Sequence, residues 1–372
     1  MVRRRSQRLC VGVRFRGQRG RAWATATNLL ENNTAFEVYE AVNHASQFVA
    51  TLSGSKPDPI RVHFPDPRSD NPDGSQTSKG HMHLSGTDAH DWDDIHHEYG
   101  HHLQAQYGLA NSPHGHHSGS DNLCKTTGSK DNGIRLAWGE GWPTFFGILL
   151  QRELGLKKLD IPTVGDANYT DTNPAGTKLN YSLESAGSNE EVGEGNEKAV
   201  SRALWGLYAG RSDVSELATL SPKELWSSFG AGKPYHFSAW WQTVVAGKSI
   251  MTLGQYGAVL VTQGLASSPL APVNEALLSA NGDVEFKWKA VRQCAHAGKD
   301  QYSLRIYGSD LTAPVFSSPF THATDLIVTA AQVKTLAGAN GRLFWAVVSR
   351  DDTEPATGEF HGPLSAINLK LD

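Results

Sequence analysis

At residues 264–273, Gly-Leu-Ala-Ser-Ser-Pro-Leu-Ala-Pro-Val, the hydrophobic pattern of this chain changes period. Upstream, apolar residues recur at helical spacing, as in Ala199, Val200, Ala203, Leu204 and Leu207. Downstream they alternate, as in Phe286 and Trp288, then Tyr302, Leu304 and Ile306, and a late strand runs through Phe344-Trp345-Ala346-Val347-Val348. A segment with one period cannot bury its apolar side in the geometry of the other. The pattern therefore predicts a mixed helical unit over 30–263 and an all-β unit over 272–372, with 1–29 as a poorly defined N-terminal extension.

Within the first unit, Thr34-Ala35-Phe36-Glu37 opens a helix to about Leu52, its inner face made by Ala35, Val38, Val42, Ala45 and Val49. A strand follows at Ile60, Val62 and Phe64 and ends at Pro65. Residues 66–79 read as a surface loop, and His81-Met82-His83-Leu84 as a short edge strand.

Residues 97–101, His-Glu-Tyr-Gly-His, fit H-E-x-x-H. On a helix, positions four apart share a face, so His97 and His101 can aim nitrogens at one ion while Glu98 stands beside them as a general base. Asp91, Asp93 and Asp94 at the start and Gly108 at the end predict a helix over about 93–107. A catalytic zinc commonly has three protein ligands. The metzincin continuation is excluded, because Gln104 and Tyr107 occupy the positions of its Gly and His.

The third-ligand candidate is Glu140, 39 residues after His101 in Ala137-Trp138-Gly139-Glu140-Gly141-Trp142-Pro143. Since proline is tolerated in a first helical turn, Pro143 predicts a helix beginning near Gly139 or Glu140 and running towards Leu154. His117 and Asp121, in the His- and Ser-rich loop between the two motifs, are rival ligands.

The pair Asp93-Asp94-Ile95-His96-His97-Glu98-Tyr99-Gly100-His101 and Trp138-Gly139-Glu140-Gly141-Trp142 resembles gluzincin-type metallopeptidases of the peptidase-MA-like group. The resemblance implies an α+β zincin-like domain over roughly 30–260: a small mixed sheet, an active-site helix and a helical lower subdomain. It implies one Zn2+ per chain held by His97, His101 and Glu140, with Glu98 as base and a peptide or protein as substrate. The strand at 81–84 would lie along that substrate as an edge. A Tyr or His of the lower subdomain would stabilise the oxyanion, with Tyr181, Tyr235 and His236 as candidates. Pro143 departs from the Ala usual in the family. Trp288, Tyr302 and the run from Leu336 to Trp345 look like core positions of a fibronectin type III domain, an immunoglobulin-like sandwich whose role would be spacing or docking.

A net charge of −4 gives no electrostatic pull towards nucleic acid, and the short Arg3-Arg4-Arg5 start does not change that. No apolar run is long enough for a membrane span. Three cysteines, Cys10, Cys124 and Cys294, allow at most one disulfide and have no zinc spacing. Secretion is expected by resemblance alone, the start having the charge but not the apolar core of a signal peptide. Two alternatives stay open: a non-catalytic binding or adhesion protein with a structural metal, and a zinc hydrolase of a non-peptide bond. Oligomeric state is not legible.

Overall fold

The computed structural model describes residues 34–66, 75–172, 178–185, 192–211, 217–291, 294, 300–337, 341–351 and 358–370. The expected extension over 1–29, with Arg3-Arg4-Arg5 and Cys10, lies outside the described residues. The fold is mixed α+β, with helices and several small sheets.

The chain begins with α1 (Thr34–Ser53) and three short strands, β1 (Arg61–His63), β2 (Gln76–Ser78) and β3 (His81–His83). The motif helix is α2 (Trp92–Tyr107), and α3 (Leu123–Thr126) and α4 (Lys130–Glu153) follow. A hairpin of β4 (Asn168–Thr172) and β5 (Lys178–Ser182) precedes α5 (Glu197–Ala209), α6 (Pro222–Gly232), α7 (Phe237–Val245) and α8 (Ile250–Leu260). Helix α1 turns Val38, Ala41, Ala45, Phe48 and Val49 inward, so Ala35 and Val42 sit less deeply than their spacing predicts. Among the described residues, no helix is long and apolar enough to cross a membrane.

The first sheet has the order β1-β3-β2, with β1 and β3 parallel and β2 and β3 antiparallel. The strand at 81–83 is therefore central, which corrects the expectation that it forms an edge. Its backbone pairs with strands on both sides, so it is not open to an extended peptide; the flanking positions belong to β1 and β2. The reason is β2, three polar residues inside what the composition marks as a loop.

The hairpin β4–β5 is also absent from the sequence reading, its strands being Asn-, Thr- and Lys-rich. Its position is set by the acidic start of α2. Thr170 N donates to Asp93 Oδ2 at 3.0 Å and Thr172 N to Asp91 Oδ2 at 2.9 Å. Tertiary hydrogen bonds thus supply what side-chain alternation does not.

The β unit contains β6 (Pro269–Ala271), β7 (Ala276–Ser279), β8 (Val284–Trp288), β9 (Asp300–Tyr307), β10 (Pro314–Ser317), β11 (Asp325–Val328), α9 (Ala330–Ala337), β12 (Arg342–Asp351), β13 (Phe360–His361) and β14 (Ser365–Lys370). One sheet has the order β10-β9-β12-β14-β7 with β13 on β12, the other β11-β8-β6. Their facing side chains share a core that includes Phe286, Trp288, Tyr302, Leu304 and Trp345. Phe286 and Trp345 meet edge to face at 5.0 Å.

This unit is docked on the helical one. Phe360 is fully buried in the helical core, its ring 6.2 Å from Phe237 and 6.1 Å from Trp241. Lys130 Nζ at the start of α4 pairs with Asp351 Oδ2 of β12 at 3.1 Å, both side chains buried. A disulfide joins Cys124 of α3 to Cys294. The change of period at 264–273 marks a change of architecture and not a flexible spacer.

Asp300, beside that ion pair, gives the junction a pH dependence. Burial and the Asp351 charge raise its carboxyl to about 7, with Lys130 opposing. The fold then holds a proton that the unfolded chain releases near pH 4, so this group's contribution to stability is full below pH 4 and is lost as pH rises towards 7. Asp300→Asn is expected to melt higher than wild type at pH 8, with the difference vanishing at pH 4. Equal melting temperatures at pH 8 would contradict this origin.

Candidate metal centre

Helix α2 is fixed at both ends by local chemistry. Asp91 caps its start by accepting from Asp94 N at 3.4 Å, and Gly108 ends it in the left-handed region at φ 66°, which suits glycine. Between them His97 and Glu98 are buried and His101 is half-buried. Ligand atoms of His97, Glu98 and His101 all lie within 4.8 Å of one another.

Helix α4 begins at Lys130, ten residues before Glu140, and runs straight through Pro143. This corrects the expected start near Gly139 or Glu140. Ser129 caps the helix, accepting from Asn132 N at 3.3 Å, and so sets its start well before Pro143. An interior proline costs about 3 kcal/mol through its lost N–H and its ring. Packing against α2 offsets that cost. Gly100 of α2 makes room for the ring, since a Cβ there would lie 2.8 Å from Pro143 Cα and Cβ. One turn further along α4, a Cβ on Gly147 would stand 3.2 Å from His96 Cβ.

The close approach of the two helices brings Glu140 to both motif histidines. Its Oε2 lies 3.4 Å from His97 Nε2 and 3.2 Å from His101 Nε2. Ligand atoms about 2.0 Å from a tetrahedral zinc stand roughly 3.3 Å apart, so this spacing suits the ion. The far side of each ring is also held: His97 Nδ1 is 2.9 Å from Thr144 Oγ1, and His101 Nδ1 donates to Gln104 Oε1 at 3.2 Å. Such bonds turn Nε2 towards the shared centre. Glu98 Oε2 is buried with no hydrogen-bond partner among the described residues. The donor set therefore fits a zinc ion, with one carboxylate to spare.

Two further residues complete the cluster. A Cβ on Gly141 would fall 2.6 Å from the carbonyl oxygen of Glu197, so its absence lets α5 press against α4. Asn196 caps α5, accepting from Ala199 N at 2.9 Å, and its Nδ2 donates to Gly119 O and Asp121 O, tying down the loop that carries His117. Consequently His117 Nδ1 sits 2.9 Å from Glu197 Oε2, while its Nε2 is 3.7 Å from Glu140 Oε1. Of the two rival ligands, His117 reaches the cluster, from the opposite side of Glu140. Asp121 contributes its backbone carbonyl to the Asn196 clamp. Glu197 was not singled out from sequence; its only signal was an acidic first-turn residue after an Asn cap.

The charges are interdependent. Burial alone would raise the Glu140 carboxyl, but His101, His97 and His117 hold it well below the usual carboxylate range. Burial would lower His101, yet Glu140 and Glu98 carry it to about 9. His117 also reaches about 9 against burial, through Glu197 and Glu140. Behind Glu98, burial and mutual repulsion raise Asp88, Asp91, Asp94 and Asp171, with Asp91 at about 7.

The oxyanion candidates separate. Tyr181 is buried next to Tyr169, whose ring lies 5.6 Å from His97, and its hydroxyl pairs with Ser201 Oγ at 3.2 Å and with the side chain of Thr144, the residue that also meets His97 Nδ1. Tyr235 is exposed. His236 caps α7, with Nδ1 near Glu194, Ser238 and Ala239 N. Among the described residues, Tyr235 and His236 do not figure in the contacts of His97, His101 and Glu140.

No protein-family model matches the sequence, and no curated protein matches it. A solved structure of fibronectin(III)-like modules of Clostridium thermocellum CbhA is weakly similar, at 13% identity and a TM-score of 0.20, covering 28% of this chain and 97% of that one.

Proposed function

We propose that this chain is a zinc-dependent peptidase of gluzincin type, followed by a fibronectin type III-like sandwich. The observation that carries the reading is the Glu140 carboxylate lying 3.4 and 3.2 Å from the Nε2 atoms of His97 and His101, with Glu98 adjoining them. His97, His101 and Glu140 would hold one Zn2+. Bound there, zinc supplies Lewis-acid polarisation of the scissile carbonyl and a lowered pKa for water.

The chain's own groups do the rest. Glu98 takes a proton from the attacking water and returns it to the leaving amine as the C–N bond breaks. His117, oriented by Glu197, brings its other ring nitrogen to 3.7 Å from Glu140 Oε1, and in this reading it is the imidazole beside the cluster that would donate to the developing oxyanion.

A disulfide is at home in an oxidising compartment, and the Cys124–Cys294 bond supports secretion as part of this reading. The test is digestion of a peptide library by protein stripped of metal and then reloaded with zinc. Cleavage that appears only on reloading is expected; cleavage indifferent to chelation, or none with zinc, would overturn the proposal.

A further inference from the structure

A second group of histidines lies on the small sheet, apart from the motif helix. Strands β1 and β3 are parallel with His63 opposite His83 and Arg61 opposite His81. Side chains alternate across a strand, so Met82, fully buried, and Val62 share one face, and His63, His81 and His83 share the other. All three rings are half-buried and nearly parallel. Their centroids are 4.5 Å apart for His63 and His83, 5.1 Å for His63 and His81, and 6.1 Å for His81 and His83.

The nitrogens converge. One ligand atom from each of the three rings lies within 4.8 Å of the others, and His63 Nε2 is 2.8 Å from His81 Nδ1. His83 Nδ1 is 2.6 Å from Oδ2 of Asp66, a residue only 6% exposed. Asp66 is itself tied to the end of β3, its N donating to Leu84 O at 2.9 Å. A carboxylate on the far nitrogen of a ligand histidine fixes the ring and raises its basicity.

We propose that His63, His81 and His83 form a second metal site, independent of the first, that takes a divalent first-row transition ion such as Zn2+. Three imidazole nitrogens select zinc, copper or nickel over calcium or magnesium. On binding, the ion replaces the proton shared by His63 and His81, which is released, and the two rings separate by about half an ångström to reach the roughly 3.3 Å spacing of tetrahedral ligands. Strand β1 has three residues, and a bond from each strand to one ion fastens its parallel pairing to β3. The role is structural: it holds together the sheet on which α2 rests.

The experiment uses the full chain, stripped by chelator and titrated with Zn2+ against a chromophoric indicator. Wild type is expected to bind two equivalents, His97→Ala/His101→Ala one, and His63→Ala/His83→Ala one. Because the last variant can fail to fold, Co2+ is also added to His97→Ala/His101→Ala, in which the second cluster is untouched. Visible d–d absorption there, unaffected by excess Ca2+, supports the site; absence of cobalt absorption overturns it. One equivalent in wild type that persists in His97→Ala/His101→Ala would keep this site and remove the first. One equivalent that is lost in that variant would do the reverse.

Discussion

Glu98→Gln is expected to keep its metal and its fold while peptide hydrolysis falls about 10³-fold, within the 10²–10⁴-fold range of general-base catalysis. That corresponds to about 4 kcal/mol of transition-state stabilisation. The fold should tolerate the change because Glu98 Oε2 has no hydrogen-bond partner among the described residues and Gln has the same shape. The substitution also removes a negative charge that repels the buried Asp94 carboxyl. Metal retention should follow, since His97, His101 and Glu140 are unaltered. Zinc content and single-turnover rates measured on one preparation separate the two effects. Hydrolysis within threefold of wild type would end the case for Glu98 as base.

Cys124→Ser/Cys294→Ser is expected to produce the largest loss of stability. The bond closes a sequence separation of 170 residues. In the chain-entropy account, a loop of that length corresponds to about 5 kcal/mol of constraint on the unfolded state. The native side matters as well: a Cβ on Gly195 would stand 2.6 Å from Cys124 Sγ and 3.4 Å from Cys294 Sγ, so the loop leading to Asn196 and Glu197 is moulded around the sulfurs. Urea denaturation of wild type with and without reductant, beside the double variant, measures the loss. A change under about 1 kcal/mol would show that the bond constrains neither state appreciably.

The parts of the site that were legible are those encoded by spacing along one helix. His97, Glu98 and His101 need only a 3.6-residue repeat, and Asp91 and Gly108 announce its ends. Glu140 was legible as a candidate ligand, but its local structure was not. Within one helix the missing N–H and the ring of Pro143 favour a first-turn position, whereas its place inside α4 depends on Gly100 in another helix. The same holds for the hairpin of β4 and β5, in which the β4 backbone is held by Asp91 and Asp93 some eighty positions earlier and β5 pairs with β4. His81 and His83 were visible as neighbours two apart. Their convergence with His63 requires the parallel register of β1 and β3, which no local pattern states. Tyr235 and His236 were legible only as residue types suited to a task; the cap that His236 makes on α7 and its contact with Glu194 depend on tertiary packing that no local pattern states.

Phe360 has a bearing on how such a chain can be rebuilt. Sandwich units joined to a larger unit invite treatment as cassettes, removable or exchangeable at the nearest linker. Here a chimera joined at 264–273 would leave a ring-sized hole before Phe237 and Trp241, deprive Lys130 of its counter-ion and strand Cys124 as a free thiol. Any substitute domain must bring its own aromatic plug, its own acid and its own cysteine, so the two halves of this chain are constrained to be inherited together.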